Sequence, residues 1–286
     1  MMRAGWPFYP GARDDRGPGR AVRVFCARWI AAGSALVLAS PVSATWTIVA
    51  VDPETQEVGS AGASCTAFVA GVARLVPGHG AVVAQARSNM EAKEKAADMM
   101  ALDRPISAIL ATITDPAFDT MAQDQQYGLA VLRDEGEVPG AAAFTGSETH
   151  ASRGQIVGRR FAVQGNILAN DRVVQASYDA YLHAEAGGLP LAERLMRALE
   201  AGAHAGGDRR CGPEKTAQSA YLGVGVPSDT LRELSLKLIV GTNRERREPG
   251  GRAPQALPGK LGTTLTGRLR SAARRPSAAR CLRSRW

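Results

Sequence analysis

Between residues 45 and 240, apolar and polar positions fall into short runs whose periods predict strands and helices in a definite order. Trp46 to Val51 reads as a strand, the Asp52-Pro53-Glu54-Thr55 turn reverses the chain, and Val58 to Ser64 returns as the hairpin partner. The returning arm contains Gly59, Ser60, Ala61, Gly62, Ala63 and Ser64, residues so small that a ligand or a packed helix is expected to approach closely there. Val72 to Val76 and Gly80 to Ala86 predict two more strands around Pro77-Gly78. Glu91 to Leu102 reads as a helix with Ala97 and Met100 on its apolar side, and Pro105 opens a second over Ile106 to Thr112. Gln126 to Arg133 and Ala141 to Thr145 form a strand pair around a turn at Gly136, and Phe161 to Gly165 is a strand ending in Asn166. Two helices follow, Asp171 to Ala186 and Leu191 to Ala201, then closing strands over Ser219 to Val226 and Leu234 to Val240. Strands, two helices, strands, two helices and strands make an α+β layered domain, without the steady alternation of a doubly wound sheet.

The two ends differ from this middle. Arg23 and Arg28 precede an apolar run from Trp29 to Ser40, and Val42-Ser43-Ala44 supplies the small residues at which signal peptidase cuts. Residues 1–44 therefore read as an N-terminal extension and signal peptide, and the product as secreted or periplasmic. The run is about a dozen residues, short of the roughly 20 of a membrane-spanning helix, so no permanent anchor is expected. The whole chain carries +8, but residues 1–44 hold +4 and residues 241–286 hold +10, leaving −6 on the middle segment. The basic balance thus belongs to the ends and gives no warrant for a specific nucleic-acid groove. Residues 45–240 form one domain, and 241–286, rich in Arg, Pro, Gly and Ala, read as a disordered basic tail.

A cut after Ala44 would leave Thr45 with a free α-amine. That amine titrates near 8, so it can take the proton of its own hydroxyl as Oγ attacks an amide or ester carbonyl. Candidate oxyanion donors are the backbone amides around Gly62 to Cys65, including Ser64, and the side chain of Asn166. Asp208-Arg209-Arg210 is either a surface salt-bridge cluster or a clamp, with Asp208 and Arg209 orienting the amine or an anionic group of the substrate. Cys65 and Cys211 are the cysteines of the middle segment: in an oxidising compartment they form one disulfide, otherwise two buried thiols. The four histidines have no ligand spacing, so neither a metal nor another cofactor is expected. The alternative for Thr45 is a strand residue with no chemistry, in a binding or structural protein of the cell envelope.

Ala44-Thr45-Trp46-Thr47-Ile48-Val49-Ala50-Val51-Asp52-Pro53-Glu54-Thr55, followed by Glu57-Val58-Gly59-Ser60-Ala61-Gly62-Ala63-Ser64-Cys65, closely resembles the opening of DUF1028 proteins. Gly80 to Ala86, Gln126-Tyr127-Gly128, Ala143-Phe144-Thr145-Gly146, Ala162 to Leu168 and Gly207-Asp208-Arg209-Arg210-Cys211 fit in the same order. The resemblance implies an N-terminal-nucleophile (Ntn) hydrolase-like domain, a four-layer αββα sandwich whose terminal residue starts a strand. It also implies amide hydrolysis of a small-molecule substrate, and a secreted branch whose paired cysteines match Cys65 and Cys211. Further copies of the chain in a homo-oligomer are compatible with it. Two departures stand out: no cysteine near Glu148-Thr149-His150, and a different polar turn at Arg87-Ser88-Asn89.

Overall fold

The computed structural model of the chain describes residues 45–134, 140–212, 215–230 and 233–241. The expected leader, the turn at Gly136 and all but the first residue of the basic tail lie outside these residues. The chain begins with β1 (Thr45–Asp52), β2 (Glu57–Ser64), β3 (Ala73–Val76) and β4 (Gly80–Ala86), followed by α1 (Met90–Ala101) and α2 (Ile106–Ile113). Next come β5 (Gln125–Val131), β6 (Gly140–Thr145), β7 (Gly154–Val157) and β8 (Phe161–Asn166). It closes with α3 (Arg172–Ala186), α4 (Leu191–His204), β9 (Ser219–Gly225) and β10 (Leu236–Val240).

The strands form two antiparallel sheets, one in the order β10-β9-β2-β1-β8-β7 and one in the order β3-β4-β5-β6. This is an α+β fold with two sheets and four helices among the described residues. Period-two alternation divides β1 between two cores. Trp46, Ile48 and Ala50 join Leu195, Met196 and Leu199 of α4 and Val173 and Tyr181 of α3. Val49 and Val51 instead meet Ala81 and Val83 of β4 and Ala130 of β5, between the sheets. A third cluster packs Met100 of α1 and Ile109 of α2 on Val82, Tyr127 and Leu129 of the shorter sheet. Covered on both faces, β1 is buried along its whole length.

Local chemistry explains the element ends. The β1–β2 turn closes because Asp52 Oδ1 accepts the N–H of Glu54 at 3.0 Å. The Arg87-Ser88-Asn89 turn is a helix cap: Asn89 Oδ1 accepts the N–H of Ala92 at 3.1 Å, and Asn89 Nδ2 donates to Asp119 at 2.8 Å. α2 starts after Pro105, and its first N–H donates to Asp134 Oδ1 at 2.9 Å. α4 runs past the expected Ala201 to His204, and in this added turn Gly202 lies so close to Trp46 that a Cβ there would be 2.6 Å from the indole nitrogen.

The small residues of β2 are accounted for by close approach from protein on both faces. A Cβ at Gly59 would lie 2.7 Å from Leu195 of α4, and one at Gly62 would lie 2.6 Å from both Thr47 and Tyr221. The strand that pattern reading misses is β7. It has four residues, lies at the sheet edge and alternates half-buried with exposed positions, so it carries almost no apolar signal.

Candidate functional site

Register sets Asn166, Thr45, Ser64 and Ser219 side by side across β8, β1, β2 and β9. Directly opposed residues on antiparallel strands point to one face with Cβ atoms about 5 Å apart. Thr47, two residues along β1, identifies that face, because its hydroxyl donates to Gln85 Oε1 of the other sheet at 2.7 Å. All four residues of the row are at most 1 % exposed in the full-length chain. Opposite them lies a second row, Gln85, Gln126 and Thr145, in register across β4, β5 and β6.

The two rows are joined by hydrogen bonds of fixed polarity. Gln85 Nε2 donates to the carbonyl of Thr45 at 3.3 Å and to Gln126 Oε1 at 2.7 Å. Asn166 Nδ2 also donates to Gln126 Oε1, at 3.3 Å. Gln126 Nε2 donates to the carbonyl of Gly165 at 3.0 Å and to Thr145 Oγ1 at 2.9 Å. Gln164 Nε2 donates to Thr47 Oγ1 at 2.6 Å. Three buried atoms of this region lack a hydrogen-bond partner: Asn166 Oδ1, Gln164 Oε1 and Ser219 Oγ. A buried polar atom left unmatched costs about 1–3 kcal/mol, so such atoms point to an occupant or a strained function. Ile167, directly after Asn166, also has φ 50°, a conformation that β-branched residues rarely adopt and that clusters at functional sites.

At the end of β2 a buried carboxylate ties four groups together. Asp208 Oδ2 accepts the N–H of Cys65 at 2.7 Å and Arg210 Nη2 at 2.7 Å. Its Oδ1 accepts the N–H of Arg210 at 3.0 Å and Arg210 Nε at 3.1 Å. Arg210 Nη2 lies 3.4 Å from Ser64 Oγ, which also accepts the N–H of Thr66 at 3.2 Å. Cys65 and Cys211 form a disulfide, with Cα atoms 5.6 Å apart. The amide of Cys65 is therefore engaged by Asp208 and is not open to a ligand here.

Of the residues singled out in the sequence, Thr45, Ser64 and Asn166 come together in one row, and Asp208, Cys65 and Cys211 meet beside it. Arg209 does not join them. Its side chain is exposed and its N–H donates to the carbonyl of Ile167, while Arg210 makes the ion pair with Asp208. An aspartate capping a tight turn binds the N–H two residues on, and that spacing points to Arg210 rather than Arg209. Sequence reading also passes over Gln85, Gln126, Gln164 and Ser219. Their signal is a glutamine or serine at inward positions of otherwise apolar strands, where an unpaired amide would be costly.

Burial raises the Tyr221 phenol well above its usual range, so it stays neutral while sharing a 2.8 Å hydrogen bond with Ser60. Among the described residues no three His, Cys, Asp or Glu side chains cluster as metal ligands, and no helix is long and apolar enough to cross a membrane.

Comparison with known proteins adds a family and a fold. The crystal structure of protein SPO2555 from Silicibacter pomeroyi, itself assigned to DUF1028, superposes with a TM-score of 0.61 at 22 % identity, covering 82 % of this chain and 89 % of that one. At that identity the likeness concerns fold alone. No curated protein matches the chain. The family described as "Family of unknown function (DUF1028)" matches residues 45–243, the span that contains both rows and the Asp208 cluster, and the chain belongs to that family.

Proposed function

We propose that this chain is an exported hydrolase of the N-terminal-nucleophile type, acting on an amide or ester bond of a small molecule. Cleavage after Ala44 makes Thr45 the first residue, its hydroxyl the nucleophile and its α-amine the base. The amine takes the hydroxyl proton as the Oγ–C bond forms, then passes it to the leaving nitrogen as the C–N bond breaks. Water hydrolyses the resulting ester and regenerates Thr45. Ser64, directly opposite Thr45, supplies a hydroxyl to the developing oxyanion. Asp208 fixes the strand end that carries Ser64. The packing of one helix pair on each outer sheet face, with a core between the sheets, supports the four-layer αββα arrangement of that superfamily.

The observation that carries this reading is the row itself. Thr45 opens β1 between Ser64 and Asn166, beside buried polar atoms with no partner. One observation favours the second reading, a binding or structural envelope protein on the same fold: Thr45 is 0 % exposed in the full-length chain.

Intact mass and terminal sequencing of exported protein, followed by a β-lactone probe, separate the two. The hydrolase reading expects a mature terminus at Thr45 and covalent labelling that is lost in Thr45→Ala. Another terminus ends the mechanism, and a correctly cut protein that does not label leaves the binding reading.

A further inference from the structure

The unmatched atom of Asn166 is an oxygen, and the surrounding network determines this without reference to how the amide was drawn. A backbone carbonyl can only accept, so Gln126 must turn its NH2 toward the carbonyl of Gly165 at 3.0 Å and its oxygen the other way. The same argument fixes Gln85, whose NH2 faces the carbonyl of Thr45. Gln126 Oε1 therefore faces Asn166, which must meet it with its own NH2 at 3.3 Å. What remains is Asn166 Oδ1, fully buried, with no donor, on the residue directly opposite Thr45. Gln126 engages one of the two N–H donors of Asn166, whereas the Asn166 oxygen meets no donor at all, so the unmet demand at this residue is that of an acceptor.

We infer that Asn166 Oδ1 is a binding site for a primary ammonium, and that its ligand is the α-ammonium of Thr45 released by cleavage after Ala44. The peptide N–H of residue 45 in the uncut chain becomes an ammonium with three donors, and the adjacent orphaned oxygen accepts one of them. Gln126 acts through Asn166 as a positioning residue. The inference rests on the cut assumed in the proposed function but not on hydrolysis. Among the described residues, charges at this end of the sheets include Asp208 and Arg210, which pair with each other, the exposed Arg87, Arg153 and Arg209, the half-buried Asp124 before β5, and the buried Glu200 of α4, the helix packed on β1. From β4 and β5 the row is faced by the uncharged Gln85 and Gln126.

The test is the α-amine pKa of protein beginning at Thr45, prepared by removing a cleavable tag, read from the pH dependence of α-amine acylation. Hydrogen bonding to the charged form raises an amine pKa, so Asn166→Ala should lower it by about one unit. Asn166→Asp replaces the amide oxygen with a carboxylate and should raise it above wild type. Ser219→Ala, which removes an unmatched hydroxyl of the same row two strands from Thr45, should leave it unchanged. Opposite shifts in the two Asn166 variants are not expected of a merely structural residue. An amine pKa that is the same in wild type, Asn166→Ala and Asn166→Asp overturns the inference. Because β-lactone labelling is scored separately, a protein that never labels yet shows these shifts rejects the hydrolase while retaining the ammonium site.

Discussion

Asp208 and Cys65, 143 residues apart in sequence, meet at 2.7 Å where a buried carboxylate oxygen accepts the N–H of a disulfide-forming cysteine. The same carboxylate holds Arg210 with both oxygens, so one side chain joins the end of β2 to the turn that carries Cys211. Removing it takes the acceptor from the Cys65 N–H and the carboxylate from the Arg210 guanidinium. Asp208→Ala should cost about 3 kcal/mol in urea unfolding, the low end for a broken buried pair because Arg210 is partly exposed. Asp208→Asn keeps one acceptor and should lose roughly half as much. A loss within error of zero for Asp208→Ala would mean that the cluster is decoration on an end held by other contacts.

The disulfide closes a loop with a sequence separation of 146. On the chain-entropy account a link of this length stabilises by about 3–5 kcal/mol, chiefly by restricting the unfolded chain. Urea unfolding of the oxidised protein and of Cys65→Ala/Cys211→Ala should differ by that amount, with the double variant still folded. Equal midpoints would show that the link adds nothing to equilibrium stability.

Gly128 of β5 owes its identity to a residue on the other sheet. A Cβ there would lie 2.4–2.5 Å from the Gln164 amide, which donates to Thr47 Oγ1. Gly128→Ala should therefore destabilise by about 1–3 kcal/mol through overpacking. The cost should shrink in a Gln164→Ala background, where the clashing amide is gone, and a double-mutant cycle measures that coupling. Strict additivity would place the cost elsewhere.

Glu57 supplies a pH dependence whose sign follows from its surroundings. Burial raises its pKa above 4.5, reinforced by Asp52 and opposed by the Thr55 hydroxyl and Arg194. The folded state thus holds this proton to higher pH than the unfolded chain. Its stabilising contribution is full below the unfolded value and disappears as pH rises through the folded one. Glu57→Gln keeps an acceptor for Thr55 and removes that loss. The variant should match wild type near pH 3 and be more stable at neutral pH, as read from unfolding midpoints across pH. A variant less stable than wild type at neutral pH would show that the ionised carboxylate is worth more than its burial costs.

Much of the fold is legible in the chain because its local signals agree with one another. The Asp52-Pro53 turn, the caps at Asn89 and Pro190, and the apolar stripe of Leu191, Leu195 and Leu199 each act within a few residues, and their elements form where the pattern puts them. β7 escapes because an edge strand with one wet face needs few apolar residues. At the site, the strand ends carrying Thr45, Ser64 and Asn166 could be read off in order, and cysteine chemistry allowed the Cys65–Cys211 link. Glutamines 85, 126 and 164 could not be singled out. An inward glutamine looks like any polar strand residue until the opposite sheet brings its partner.

The sequence by itself therefore determined the elements other than β7, their order and the family, since hydrophobic period, turn chemistry and short motifs are properties of neighbours along the chain. Only the tertiary structure decided that Asp208 meets the N–H of Cys65, and that the atom of Asn166 left without a partner beside Thr45 is an oxygen. Those outcomes depend on the direction of hydrogen bonds between residues 143 and 40 positions apart. Register and the accept-only character of backbone carbonyls set that direction.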